Sequence, residues 1–347
     1  MFLLCLSTNP FTTLNNLKKP TYAVDIEAHR GKFTSILEEN STSQFILELH
    51  NGVVVNEGGA ITEDGHILQD TQTFGSDQQK LTKKNRNIND ENPEYFNGKL
   101  AIISSPGAEN WYHWLLQVLP RLIILKESNL SYDQIYINNL KFLWQQDSLE
   151  IVLNFLNIDE KKILSIDGDS IIQANTLIVP SVPFIPAKGQ IIPNWLKENI
   201  QDIFLKTSYS TIKPHDKIYI SRAEATGRRI TNEKDFTKQL EKDGFKILIA
   251  EKLSIYDQAK IFNHAKIIIT PHGSGLANLI FIQPNNTRVI EIDYDLERGD
   301  LYENICKMML CSSYKKFYAD EAIANASNED MILSNIPEFL EIVGATE

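Results

Sequence analysis

Residues 265–281, AKIIITPHGSGLANLIF, concentrate the chemistry of this chain. An apolar run, Ile267 to Ile269, stops at Thr270-Pro271. His272, Gly273, Ser274 and Gly275 follow, then Leu276 and a segment that reads as a short helix. Glycine at 273 and 275 removes side chains where a ligand would approach the backbone. The free N–H groups at the helix start point outward with the positive end of the dipole behind them. That combination is an anion site, most naturally for a diphosphate, and His272 and Ser274 can add hydrogen bonds. The competing reading is a plain strand-to-helix turn.

A second stretch, YISRAEATGRRITNE, follows another strand pattern in the same half of the chain. Arg222 comes directly after that strand, and Arg228 and Arg229 lie in the loop beyond it. Parallel strands place their carboxyl ends on one edge, so Arg222 and Gly273 are expected in one crevice. A guanidinium fork suits phosphate oxygens. Against this, the three arginines could pair with Glu224 or Glu233 at the surface. Glu291, near the end of the strand RVIEI, is placed to accept hydrogen bonds from ribose hydroxyls, and Glu251, after FKILIA, is its rival. No GxGxxG opens a first βα unit, and no GxxxxGK[ST] loop occurs. These residues describe a nucleotide-diphosphate pocket outside the dinucleotide and P-loop types.

The elements that must position these groups are legible in outline. At 347 residues the chain is long enough for two domains. Its hydrophobic fraction of 42% and charged fraction of 23% are those of a globular protein. A net charge of −11 argues against a nucleic-acid partner bound by phosphate neutralisation. Cys5, Cys306 and Cys311 fit neither a disulfide framework nor a zinc site, so reduced thiols in a reducing, cytoplasmic setting are expected. MFLLCLS reads as a first strand, and no apolar run reaches the ~18 residues of a transmembrane helix.

Residues 1–95 read as a β-rich segment of an acceptor-side domain. Asn51-Gly52 in FILELHNGVVVNEGG signals a hairpin, and SDQQKLTKKNRNINDENPE reads as a long surface loop. Residues 96–190 alternate strand and helix patterns: KLAIIS, a helix over ENWYHWLLQVLPRLIILKES that Pro120 should kink or split, QIYIN, an amphipathic helix, then KILSI and NTLIVPS. The proline-rich VPFIPAKGQIIPNW is the linker candidate. Residues 191–330 give the clearest alternation, KIYIS, FKILIA, KIIIT and RVIEI separated by helices, which implies a parallel sheet covered on both faces. Residues 331–347 read as a C-terminal tail helix.

NWYHWLLQVLPRL, YISRAEATGRRITNE, EKLSIYDQAKIFNHAKIIITPHGSGLANLIF and RVIEI, in this order and spacing, resemble glycosyltransferase family 61, the DUF563 family, over residues 100–293. The resemblance implies an α/β fold of GT-B type, with two Rossmann-like domains facing a cleft, here with a β-rich N-terminal extension. It implies inverting transfer from a nucleotide sugar, commonly UDP-linked, held by the C-terminal domain, with no obligatory metal and no further cofactor. The turn Pro271 to Leu276 matches the family's donor-phosphate motif, with Ser274 where alanine is frequent. Arg222 matches the arginine expected at the diphosphate. Pro284-Asn285 departs from a frequent Pro-Gly. The bacterial members of the family act in capsular polysaccharide synthesis, so a glycan or protein hydroxyl is the expected acceptor.

An inverting transfer needs a base near the acceptor hydroxyl. His113, in the segment after the strand KLAII, has a suitable intrinsic pKa. Glu109, four residues earlier, would share its helix face if the helix already starts there, and could orient His113 or act as the base itself. Trp111, Tyr112 and Trp114 offer flat faces for sugars on the acceptor side. The plainer reading makes His113 and these aromatics core, and Arg121 a tie at the kink. Two further functions stay open: a non-glycosyl group transfer in polysaccharide assembly, and an inactive homologue that binds nucleotide sugars.

Overall fold

A computed structural model describes residues 18–21, 23–39, 42–55, 58–68, 93–166, 170–183, 192–206, 210–295, 299–322 and 329–344. The first strand read in MFLLCLS, the surface loop over 76–92 and most of the proline-rich linker lie outside these residues. The chain divides into two compact units. One comprises residues 1–109 and 116–185, the other residues 110–115 and 186–347. The boundary at Ile185 and Pro186 falls inside the proline-rich stretch. No described helix is long and apolar enough to cross a membrane.

The first unit is built on one mixed sheet. Its early strands are β1 (Lys18–Thr21), β2 (Gly31–Glu39), β3 (Thr42–His50), β4 (Val53–Val55), β5 (Gly59–Ile61) and β6 (His66–Leu68). They join β7 (Glu94–Ile102), β8 (Gln134–Asn138), β9 (Ile163–Ile166) and β10 (Ile171–Pro180). The parallel part runs β10-β7-β8-β9. The N-terminal strands continue this same sheet: β3 and β4 both lie antiparallel against β10. The hairpin expected at Asn51-Gly52 is therefore not formed. His50 pairs with Thr176 and Val53 with Gln173, so β3 and β4 run end to end along one partner, and Asn51 takes a left-handed φ of 49° at the step. Asn-Gly satisfies the same backbone demand in a kink as in a hairpin.

Helix α1 (Trp111–His113) passes through a π-helical stretch, Trp114–Val118, into α2 (Leu119–Glu127). Pro120, which lacks an N–H, sits in the first turn of α2, so the expected split occurs just before it. Arg121 is fully buried and donates from Nε and Nη2 to the Pro180 carbonyl and from Nη1 to the Ser104 carbonyl. It ties the chain just beyond β7 to the end of β10. Burial lowers its pKa to about 9. Replacing Arg121 with leucine should cost about 3 kcal/mol, because two buried carbonyls lose their donors. Chemical denaturation of the variant checks this; an unchanged midpoint would contradict it.

The second unit carries five parallel strands: β11 (Lys217–Ser221), β12 (Lys246–Ile249), β13 (Ile267–Pro271), β14 (Arg288–Asp293) and β15 (Ser313–Tyr318). Their order is β12-β11-β13-β14-β15. Helices α4 (Asn194–Leu205), α5 (Lys234–Lys242), α6 (Ile255–His264) and α7 (Leu301–Met308) accompany them, α3 (Leu143–Leu156) having gone with the first unit. Ile267 to Ile269 are buried, as a sheet covered on both faces requires. The tail does not stand apart. Helix α8 (Ile336–Gly344) inserts fully buried Phe339 against Phe236 and Phe317, and Met331 bonds through its amide to the Arg229 carbonyl. Cys306 and Cys311 are joined as a disulfide at a Cα separation of 5.3 Å, correcting the expectation of free thiols. The five-residue spacing spans the end of α7, where the Cys311 amide donates to the Cys306 carbonyl and brings the two side chains together.

Candidate functional site

The strand order of the second unit reverses between β11 and β13. From β11 the chain goes outward to β12, then returns to β13 and proceeds the other way. Such a switch point opens a crevice beyond the carboxyl ends of the two strands. Arg222 is the residue after β11, and His272 and Gly273 follow β13, so the residues picked out by type flank this point. The sheet order that brings them together depends on pairings 50 residues apart, such as Lys217 with Ile267.

Arg222 donates from Nε and Nη2 to the Gly227 carbonyl at 3.2 and 3.0 Å. Among the described residues no carboxylate lies within ion-pair distance of it. Burial, and after it the neighbouring Arg228 charge, lower its pKa from the ordinary guanidinium range. A partly desolvated cation that hydrogen-bonds a carbonyl, with Glu251 and Asp330 acting on it only beyond ion-pair distance, is suited to an anion. Gly273 explains itself here. Its backbone is extended at φ 167°, which any residue adopts, but a Cβ would lie 2.1 Å from Arg222 Nη1. Only glycine lets the guanidinium lie on the turn. A Cβ on Gly275, in contrast, would meet no atom within 4 Å.

The helix after the turn, Ser274–Phe281, is 3-10 rather than α. Leu276 donates its amide to the Gly273 carbonyl, so the amides of Gly273, Ser274 and Gly275 precede the helix's first bond. Leu276 itself, expected to touch the donor, is 1% exposed and its amide is taken: it belongs to the core. Arg228 donates from Nε to the His272 carbonyl and pairs through Nη1 with Glu329. It braces the turn. Arg229 forms a fork on Asp330, so the surface pairing considered for these arginines occurs, with Asp330 as its acid. Glu224 pairs with Lys252, and Glu233 accepts from Tyr219 and Ser221.

Glu291 corrects the ribose expectation. It is 1% exposed, and both its oxygens are engaged: Oε1 lies 2.6 Å from His272 Nδ1, and Oε2 accepts from the Tyr314 hydroxyl at 2.8 Å. With Glu291 accepting at Oε1, His272 donates from Nδ1, and Nε2 is its second ring nitrogen. Glu251 is exposed on a 3-10 turn, close enough that its charge acts on Arg222. Asp293 Oδ2 is 3.5 Å from His272 Nδ1. His272, Glu291 and Asp293 could share a cation. However, ligands on one tetrahedral metal stand about 3.4 Å apart, whereas the 2.6 Å between Nδ1 and Oε1 is that of a shared proton.

Residues 110–115 belong to this second unit, not to the N-terminal half expected to supply the base. Asn110 caps α1, its Oδ1 accepting from the Tyr112 amide, so the helix begins at Trp111 and Glu109 lies outside it. Glu109 is in the first unit and pairs with Lys141. The shared helix face expected for Glu109 and His113 does not exist. Trp114 is fully buried and presents no face to a sugar. Trp111 donates from Nε1 to Asn278 Oδ1 at 3.0 Å, and Asn278 passes the chain on to Gln258, which bonds the carbonyls of Ala250 and Leu253. Asn278 is fully buried. Replacing Trp111 with phenylalanine should therefore lower stability by about 1–2 kcal/mol, read as a fall in melting temperature; no change would show that the anchor carries nothing.

The rings of this segment continue to the turn. His113 meets Tyr112 edge to face at 5.0 Å, Tyr112 meets Tyr302 at 6.3 Å, and Tyr302 meets His272 at 5.2 Å. Tyr302, Tyr314 and Asn278 are not among the residues that the sequence marks for this site. Of the three only Asn278 left a signal, a lone amide inside the apolar run LANLIFI. A family model described as Glycosyltransferase 61 matches residues 111–290, just over half of the chain. It takes in Trp111 to Trp114, Arg222 and the glycine turn. No curated protein matches the chain.

Proposed function

The chain belongs to the glycosyltransferase 61 family, and from that premise we propose that it moves a hexose or pentose from a nucleotide-diphosphate donor, a UDP-sugar, to a hydroxyl of a glycan or protein. The observation that carries the donor part of this reading is Arg222: a partly buried guanidinium with no acid at ion-pair distance among the described residues, laid on Gly273 beside three helix-initial amides. A pyrophosphate leaving group gains charge as the glycosidic bond breaks. Fixed donors aimed at that charge lower the barrier without reorganising. His272, oriented by Glu291, offers Nε2 to the same group. Ser274 and Gly275 contribute amides, and the open space over Gly275 gives the diphosphate room to approach.

Direct displacement by the acceptor inverts the anomeric centre and calls for one base. His113 is our choice over Glu109, since it stands one ring from Tyr112 and belongs to the unit that holds Arg222, whereas Glu109 is occupied by Lys141. With the leaving group neutralised by Arg222 and amides, the reaction needs no metal. The test is a panel of UDP-, GDP- and CMP-sugars incubated with the enzyme and simple glycan acceptors, in the presence of EDTA, with the product anomer read by NMR. Release of UDP and an inverted product are expected. Loss of activity in EDTA would favour a second reading, in which His272, Glu291 and Asp293 hold a cation. Failure to turn over any nucleotide sugar would overturn the enzymatic reading.

A further inference from the structure

Tyr112 sits in an unusual position for a tyrosine. It is 5% exposed, and its hydroxyl is buried with no hydrogen-bond partner among the described residues. Buried tyrosine hydroxyls normally find a partner, because a donor stripped of water and given nothing in return destabilises the fold. The backbone around it is not loose. Asn110 accepts the Tyr112 amide, and the neighbouring Trp111 is fixed on Asn278. The hydroxyl is thus held at its position by bonds that do not involve it.

The surroundings indicate what it awaits. The Tyr112 ring packs on Tyr302, and Tyr302 packs on His272, the first residue of the glycine turn. Tyr302 also acts electrostatically on Arg222. The Tyr112 ring is thus linked to His272 through the single ring of Tyr302, and its other ring neighbour is His113. Desolvation, then Tyr302, raise the Tyr112 pKa above its ordinary value, so the hydroxyl keeps its proton at working pH and acts as a donor. The partner it lacks is an acceptor. In the unit that holds Arg222 and His272, a phosphoryl oxygen is the acceptor whose charge those groups would also favour.

Resting on the nucleotide-diphosphate reading above, we infer that the Tyr112 hydroxyl donates a hydrogen bond to a phosphoryl oxygen of the bound donor, which makes it a donor-side residue instead of an acceptor-side sugar platform. Tyr302 positions it. The enzyme thus reaches the leaving group from two sequence-distant segments of one unit: the turn after β13 and the segment 110–115.

The test compares wild type with Tyr112→Phe by thermal melting and by calorimetric titration with UDP and, separately, inorganic pyrophosphate. Tyr112→Phe removes the unsatisfied hydroxyl, so its melting temperature without ligand should equal or exceed that of wild type. Its affinity for UDP should fall about tenfold, the usual cost of losing a hydrogen bond to a charged group, with a parallel loss for pyrophosphate. Equal UDP affinity in the two proteins would overturn the inference while leaving the pocket standing. So would a melting temperature several degrees lower with an unchanged UDP-induced shift, because the hydroxyl would then have a structural partner. Wild type that binds neither probe would remove the nucleotide-diphosphate reading, and this inference with it.

Discussion

Replacing Gly273 with alanine should reduce kcat/KM by 10²- to 10³-fold and leave the second unit folded. The added methyl would stand 2.1 Å from Arg222 Nη1, closer than non-bonded atoms can lie. The atom in its way is the tip of a flexible side chain, so the guanidinium moves and the backbone stays. Because φ at this position is extended, alanine introduces no torsional strain. The variant thus displaces one fixed donor from the leaving group, a loss of about 3–4 kcal/mol of transition-state stabilisation in comparable sites. Gly275→Ala is the companion. Its methyl meets no protein atom, so any loss of donor affinity there reports ligand crowding alone. A Gly273→Ala enzyme with wild-type kcat/KM would show that Arg222 does not need to rest on the turn.

Arg222→Met should be as damaging, through kcat more than KM, since the charge it meets grows as the bond to the sugar breaks. A fall of 10²-fold or more is expected. Arg222→Lys should recover part of this, because lysine restores the charge without the planar fork that also holds the Gly227 carbonyl. The melting temperature of Arg222→Met should change little. The substitution gives up the bonds to Gly227 and also removes a partly buried cation with no acid at ion-pair distance among the described residues, and these effects oppose each other. Steady-state kinetics on the three proteins checks the order wild type, Lys, Met. If methionine retained full kcat, the leaving group would have to be stabilised elsewhere.

Local chemistry was legible where a strand ended in an unusual residue. Arg222 and Gly273 could be named because buried runs such as Ile267 to Ile269 stop abruptly, and parallel strands share a carboxyl edge. What could not be read was pairing at long range. Asn51-Gly52 satisfies a hairpin rule, yet its flanking strands both seek β10, whose paired residues lie 116 to 134 positions later. Glu291 reads as a ribose ligand from sequence because nothing in RVIEI tells that Tyr314 and His272 occupy both its oxygens. Tyr302 lies in an ordinary amphipathic helix and acquires a role only once α7 packs beside the turn. Segment 110–115 follows β7 in sequence and so reads as part of the preceding half. Its Trp111 side chain bonds to Asn278, 167 residues away within the second unit.

The central claim is that Arg222 and the turn amides grip a diphosphate. Calorimetric titration of UDP into wild type and Arg222→Met, at fixed ionic strength and with EDTA present, tests it most directly. The account predicts measurable one-site binding to wild type and at least a tenfold weaker signal in the variant. Identical binding curves for the two proteins, or no binding to either, would contradict it.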